Sequence, residues 1–84
     1  MFYQSLDEAK LNYNVSSVIE QIMLSTRLIR YYKECNEPAS PNLKHELQTY
    51  NDLINQLNQI VRIPGHRIFF DWNKNDLVTK DLRH

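Results

Sequence analysis

Two runs of apolar residues, each stepping by alternating threes and fours, constrain this chain more than any other feature. The first places Val15, Val18, Ile22, Ser25, Ile29 and Tyr32 at intervals of 3, 4, 3, 4 and 3. The second places Leu43, Leu47, Tyr50, Ile54, Leu57 and Val61 at 4, 3, 4, 3 and 4. Residues at that spacing line one side of an α-helix and form the seam along which it packs on a second helix. Between the runs lies ECNEPAS, where Pro38 breaks the first helix. Ser40 then supplies an N-cap with Pro41 at the first helical position. Pro64-Gly65 ends the second.

The two seams are complementary when the chain folds back at NEPAS. Antiparallel partners have position numbers with a constant sum, and here the sums alternate between 75 and 76, from Tyr32 with Leu43 to Val15 with Val61. The one small seam residue of the first helix, Ser25, then meets the bulky Tyr50, as interdigitating layers require. The expected fold is mainly α: an antiparallel helical hairpin with helices near 17–34 and 41–62. The S-x-x-E capping box places the first helix start, since a hydroxyl three residues before a carboxylate satisfies two free N–H groups. It occurs in SLDE at Ser5 to Glu8, predicting a short N-terminal helix near 6–12, and again in SVIE at Ser17 to Glu20, which leaves open whether the short helix runs on into the longer one. The whole chain, 1–84, reads as one domain: an N-terminal segment 1–16, the hairpin 17–62 and an aromatic segment 63–84.

A bare helical hairpin buries too little apolar surface to stand alone, because area burial and chain entropy nearly cancel at this size. Leu24, Leu28 and Tyr31 lie nearly opposite the first seam, and Leu53 and Ile60 flank the second. The C-terminal segment is one candidate cover, and a second copy of the chain is the other. Ile63-Pro64-Gly65-His66 has the composition of a type II turn. RIFFDW then reads as a strand with Ile68, Phe70 and Trp72 on one side and Phe69 on the other. NKND is turn chemistry, so LVTK is either the returning strand of a small β-hairpin or the start of a last helical turn. The first side suits a lid over the helices. Phe69, Phe70 and Trp72 also suit contact with a partner, because aromatic residues dominate binding hot spots.

Most catalytic and metal chemistry finds no support. Cys35 is the only cysteine, so no internal disulfide forms, and it lies at a helix C-terminus, where the dipole disfavours a thiolate. Cys35, His45, His66 and His84 lack the paired short spacings of zinc sites. DWNKND from Asp71 imitates the opening of a calcium loop, but its sixth position is Asp76 rather than glycine and its twelfth is Leu82 rather than glutamate. A single glycine excludes glycine-rich phosphate cradles. No catalytic residue, metal or cofactor is therefore expected.

Charge is balanced, with ten basic and ten acidic residues spread over both halves, unlike the basic body of a general nucleic-acid binder. No stretch is long and apolar enough to span a membrane. MFYQSLDEAK has no basic segment followed by an apolar run, so a cytoplasmic location is expected. Nine asparagines, seven isoleucines and one glycine suit an AT-rich genome, as of a low-GC bacterium or a phage. Arg27, Arg30 and Lys33 fall in the acid-free run 21–33, and Lys44 lies at the same end of the hairpin beside the free N–H groups that open the second helix. From 53 to 61 the second helix carries no charge, and its polar face is the amide set Asn55, Gln56, Asn58 and Gln59. Amides desolvate more cheaply than charges, so such a face tolerates burial.

The functional expectation is a small non-catalytic protein-binding module, a stoichiometric regulator or inhibitor of the phage- or plasmid-borne kind. Its contact residues are Leu24, Leu28, Tyr31, Phe69, Phe70 and Trp72, and it forms a homodimer through the first three. The alternative is a binder of a small anionic ligand such as a nucleotide, held by Arg27, Arg30, Lys33 and Lys44, across a dimer if need be.

Overall fold

A computed structural model describes residues 2–35 and 41–82. Five elements follow in order: α1 (Leu6–Ala9), α2 (Tyr13–Glu34), α3 (Pro41–Ile60), β1 (His66–Asp71) and β2 (Asp76–Asp81). The molecule is an antiparallel helical hairpin with a two-stranded antiparallel β-ribbon packed on it. One core cluster joins the N-terminal half of α2 (Val15, Val18, Ile22) to the C-terminal half of α3 (Ile54, Leu57) and Val61. At the other end the Ser25 hydroxyl donates to a Glu46 carboxylate oxygen at 2.7 Å. Both observations require the helices to run head to foot. Every seam residue of α2 up to Ile29 is buried, as are Leu43, Ile54 and Leu57 of α3. Pro38, Ser40 and His84, singled out in the sequence, lie outside the described residues.

The first capping box forms with its return bond one residue early: the Ser5 hydroxyl accepts from the Glu8 N–H at 3.2 Å, and the Glu8 carboxylate accepts from the N–H of Gln4, just before the cap, at 3.0 Å. The second does not. α2 starts at Tyr13, four residues before the SVIE signal, and Ser17 lies inside the helix. Asn12 is the cap: its side-chain oxygen accepts from the N–H groups of Asn14 and Val15 while its own backbone is extended. This corrects the expected start at 17, and Val15, a seam position outside that boundary, already required an earlier one. Extended backbone at Asn12 also separates α1 from α2, ending α1 at Ala9 rather than 12.

The tail begins with the anticipated turn. The His66 N–H donates to the Ile63 carbonyl at 3.0 Å, and Gly65 takes a φ of 73°, which a side chain would oppose. The segment after it is a β-hairpin, not a helical turn, with Asp71 paired to Asp76 across a four-residue loop. The Asp71 carboxylate accepts from the N–H groups of Asn73 and Lys74, and Asn75 closes the loop in the left-handed region at φ 55°. The calcium-like DWNKND is thus an Asx turn. The Leu82 N–H donates to the Gly65 carbonyl at 2.9 Å. That bond sets the phase of the ladder: Arg67–Lys80, Phe69–Val78 and Asp71–Asp76 are hydrogen-bonded pairs, while Ile68–Thr79 and Phe70–Leu77 turn their backbone groups outward.

Ile68, Phe70 and Leu77 are buried in the helical core, so the ribbon's inner face is a lid. Its attachment is polar as well as apolar. Asn58 on α3 accepts from the Ile68 N–H at 2.9 Å and donates to the Ile68 carbonyl at 3.0 Å, standing in for a neighbouring strand. Arg67 donates to Asn55 at 3.2 Å. The uncharged amide face of α3 is therefore partly occupied by the chain's own ribbon. The N-terminal segment closes the far end, with the Tyr3 N–H on the Arg62 carbonyl at 2.8 Å and the Tyr3 side chain against the core.

Candidate functional site

The lid covers one side of the helical pair and leaves the outward face of α2 bare. Leu24, Leu28 and Tyr31 recur at i, i+4 and i+7, which stacks them along one stripe of the helix. Their relative exposures are 57%, 42% and 60%. The seam sets the register of two of them: with Ile22 and Ile29 turned into the core, Leu24 and Tyr31, each two positions on, face away, and Leu28 lies beside them one turn after Leu24. Beside the stripe Leu24 borders a shallow hollow of about 280 Å³, floored by Ile19 and Met23 and rimmed by Glu20 and Arg27. An apolar floor with one charge of each sign at its rim has the form of a pocket for a single anchoring side chain.

The aromatic residues of the tail divide. Phe70 is only 7% exposed and belongs to the core, so it cannot meet a partner while the ribbon stays docked. Phe69 stands half-buried on the outer face of the ribbon, where Arg67 and Lys80 lie over its ring at 5.8 and 5.5 Å. Trp72 is in the loop rather than on the strand and turns inward. Its ring meets Phe70 edge-on at 4.7 Å and Tyr50 at 5.5 Å, and 37% of the residue remains exposed. Tyr50 is drawn into this cluster, and burial raises its phenol pKa above the usual value. The space beside Ser25 is used differently from the simple large-on-small pairing, because the Ser25 hydroxyl reaches Glu46.

The basic residues of the alternative reading do not form one cradle. Arg30 donates to the Trp72 carbonyl at 2.6 Å and stacks over its ring at 5.5 Å, with Lys33 over the same ring at 5.8 Å. Arg27 is at the rim of the α2 hollow, and Lys44 is exposed on the first turn of α3. Arg30 and Lys33 therefore serve to seat the hairpin loop on α2. Among the described residues no three of His, Cys, Asp and Glu converge as a metal-binding set, and no helix is long and apolar enough to cross a membrane.

Sequence reasoning did not find Asn58. Its only trace was the charge-free run 53–61, which showed that this face tolerates burial but not what buries it. The cations flanking Phe69 were equally hidden, since their meeting depends on ribbon register. Comparison with known proteins finds no matching family model, no matching curated protein and no matching solved structure, so the functional reading stands on this geometry alone.

Proposed function

We propose that this chain is a small non-catalytic protein-binding module that acts stoichiometrically, as a regulator or inhibitor, through the outward face of α2. The observation that carries the reading is that Leu24, Leu28 and Tyr31 stay exposed after the aromatic tail has folded onto the helices. Two covers were open to that surface, and the tail has gone elsewhere. Fully burying a leucine side chain contributes about 1.5–3 kcal/mol, so a partner that covers this stripe gains several kcal/mol against the cost of association. The i, i+4, i+7 spacing suits a helix laid in an apolar groove or against a second helix.

The anionic-ligand alternative draws less from the geometry, because Arg30 and Lys33 are turned onto Trp72. The test is affinity capture with the wild type and with Leu28→Glu, followed by titration of the captured protein against both. Leu28 is exposed and outside the core cluster, so the variant keeps the wild-type unfolding free energy within ~0.5 kcal/mol. A charge in the stripe is expected to weaken binding at least ten-fold. Equal binding by both would reject the surface.

A further inference from the structure

The ribbon has two edges, and they are treated differently. The edge of β1 is largely covered: Asn58 takes both outward groups of Ile68, Arg30 takes the Trp72 carbonyl beyond the strand end, and the outward groups of Phe70, unbonded among the described residues, belong to a buried residue. β1 is also the strand that packs on α3. On β2, the Leu77 N–H is met only by the carboxylate of its neighbour Asp76, at 2.8 Å. Thr79 is exposed and turns its N–H and carbonyl outward, with no group among the described residues bonded to either. The strand reads DLVTKD, with β-branched residues at its centre and no proline.

The outer face of the ribbon carries a second anomaly. Arg67 lies directly opposite Lys80, and Asp71 directly opposite Asp76. Like charges in directly opposed positions destabilise a strand pair. Cations thus collect at one end of the ribbon and carboxylates at the other, with Phe69 and Val78 between them.

We propose that β2 pairs antiparallel with β2 of a second copy, about a two-fold axis through Val78, joining the two ribbons in a four-stranded sheet. In that register Leu77 opposes the partner's Thr79, and the outward N–H and carbonyl groups of the two residues pair, twice over by symmetry. Asp76 opposes the partner's Lys80. Across the four strands one row then reads Arg67, Lys80, the partner's Asp76, the partner's Asp71, so two cations meet two anions. The middle row is Phe69, Val78, the partner's Val78 and the partner's Phe69. Shifting the axis to Thr79 sets Lys80 against the partner's Val78, and shifting it to Lys80 sets lysine on lysine. The Val78 axis alone among these sets each like-charge pair beside a pair of the opposite sign. This interface uses none of the α2 stripe, so it stands or falls separately from the binding role proposed above.

Sedimentation equilibrium with charge-reversed variants tests it. Asp76→Lys and Lys80→Asp each replace a like-charge pair within the ribbon by an opposite one, so both fold, as circular dichroism will show. The wild type is expected to pass from 10.1 kDa to twice that mass as concentration rises. Each single variant sets like charges across the axis and should weaken the dimer roughly ten-fold. An equimolar mixture of the two should form a heterodimer, and the double reversal D76K/K80D should regain the wild-type dimer. Thr79→Pro, whose missing N–H faces away from β1, should be a folded monomer. A wild type that stays monomeric throughout overturns the proposal. So does a dimer indifferent to Thr79→Pro and to both reversals, or one lost only in Leu28→Glu.

Discussion

Replacing Asn58 with alanine isolates the polar part of the ribbon's attachment. The Asn58 amide makes three bonds: it accepts from the Ile68 N–H, and donates to the Ile68 and Ile54 carbonyls. The Ile54 carbonyl is a helix acceptor and loses little. Ile68 is 1% exposed, and without Asn58 its N–H and carbonyl have no strand to turn to. Leaving one buried polar group unsatisfied costs about 1–3 kcal/mol, and water entering beside α3 offsets part of the second. The expected loss is ~2–3 kcal/mol, against a total stability of ~4–13 kcal/mol for a chain of this size. Urea unfolding measures it, as a midpoint lowered by ~2–3 M if the slope is ~1 kcal/mol per M. Trp72 fluorescence reports the same event locally, because an undocked ribbon carries the indole away from Tyr50 and Phe70. Gln59→Ala, one residue on and exposed, is the control and should change stability by less than ~0.5 kcal/mol. Asn58→Asp keeps the acceptor but sets a carboxylate against two carbonyls, so it should be at least as damaging as alanine. A loss in Asn58→Ala no larger than in the control would refute the strand-mimic role.

Two further outcomes follow from the aromatic cluster. Trp72→Ala removes contacts with Phe70 and Tyr50 and the two cations over the ring. At ~0.5–1.5 kcal/mol per aromatic pair, and less for each exposed cation, thermal unfolding should show a loss of about 2 kcal/mol. The Tyr50 phenol pKa is raised by burial, so above about pH 10 the unfolded chain releases that proton while the folded chain keeps it. The stability this proton contributes is intact below pH 10 and is lost as the pH rises through the folded value. The difference in unfolding free energy between wild type and Tyr50→Phe should accordingly shift against the wild type between pH 9 and 11; a constant difference would refute it.

Helices and turns were legible because their signals are local. The 3-4 spacing marked the buried stripe of α2 through Ile29 and Leu43, Ile54 and Leu57 of α3, though it also took in Leu47, which the structure leaves exposed; Ser5 with Glu8 marked the first cap, and Pro64-Gly65 the turn. The start of α2 was missed for a local reason too: two caps compete over 12–17, and the wider box lost to Asn12, whose one oxygen serves two N–H groups. What stayed hidden is what register creates. Nothing in the residues around 58 says that this amide, rather than Asn55, Gln56 or Gln59, meets the backbone of Ile68. Trp72 was placed on the strand by alternation, and the Asx turn at Asp71 moved it into the loop, where its ring meets Tyr50 of α3 and Arg30 of α2.

The same distinction explains why a chain of zero net charge can still carry a directional electrostatic signal. Composition balances Arg67 and Lys80 against Asp71 and Asp76, yet the ladder sets each like pair face to face. A ribbon selected only for its own stability would cross them, since exchanging Asp76 with Lys80 would give two opposite-charge pairs at no cost in composition. An antiparallel self-pairing edge offsets this arrangement without requiring it, because a two-fold axis brings each end of β2 against its opposite in either order. Should the two ribbons join in this way, every dimer presents two α2 stripes. A target with two sites, or two targets held together, is then bound with an avidity that neither stripe supplies alone. Thr79→Pro would lower the apparent affinity for such a target while leaving the affinity for a single site unchanged, and Leu28→Glu would lower both.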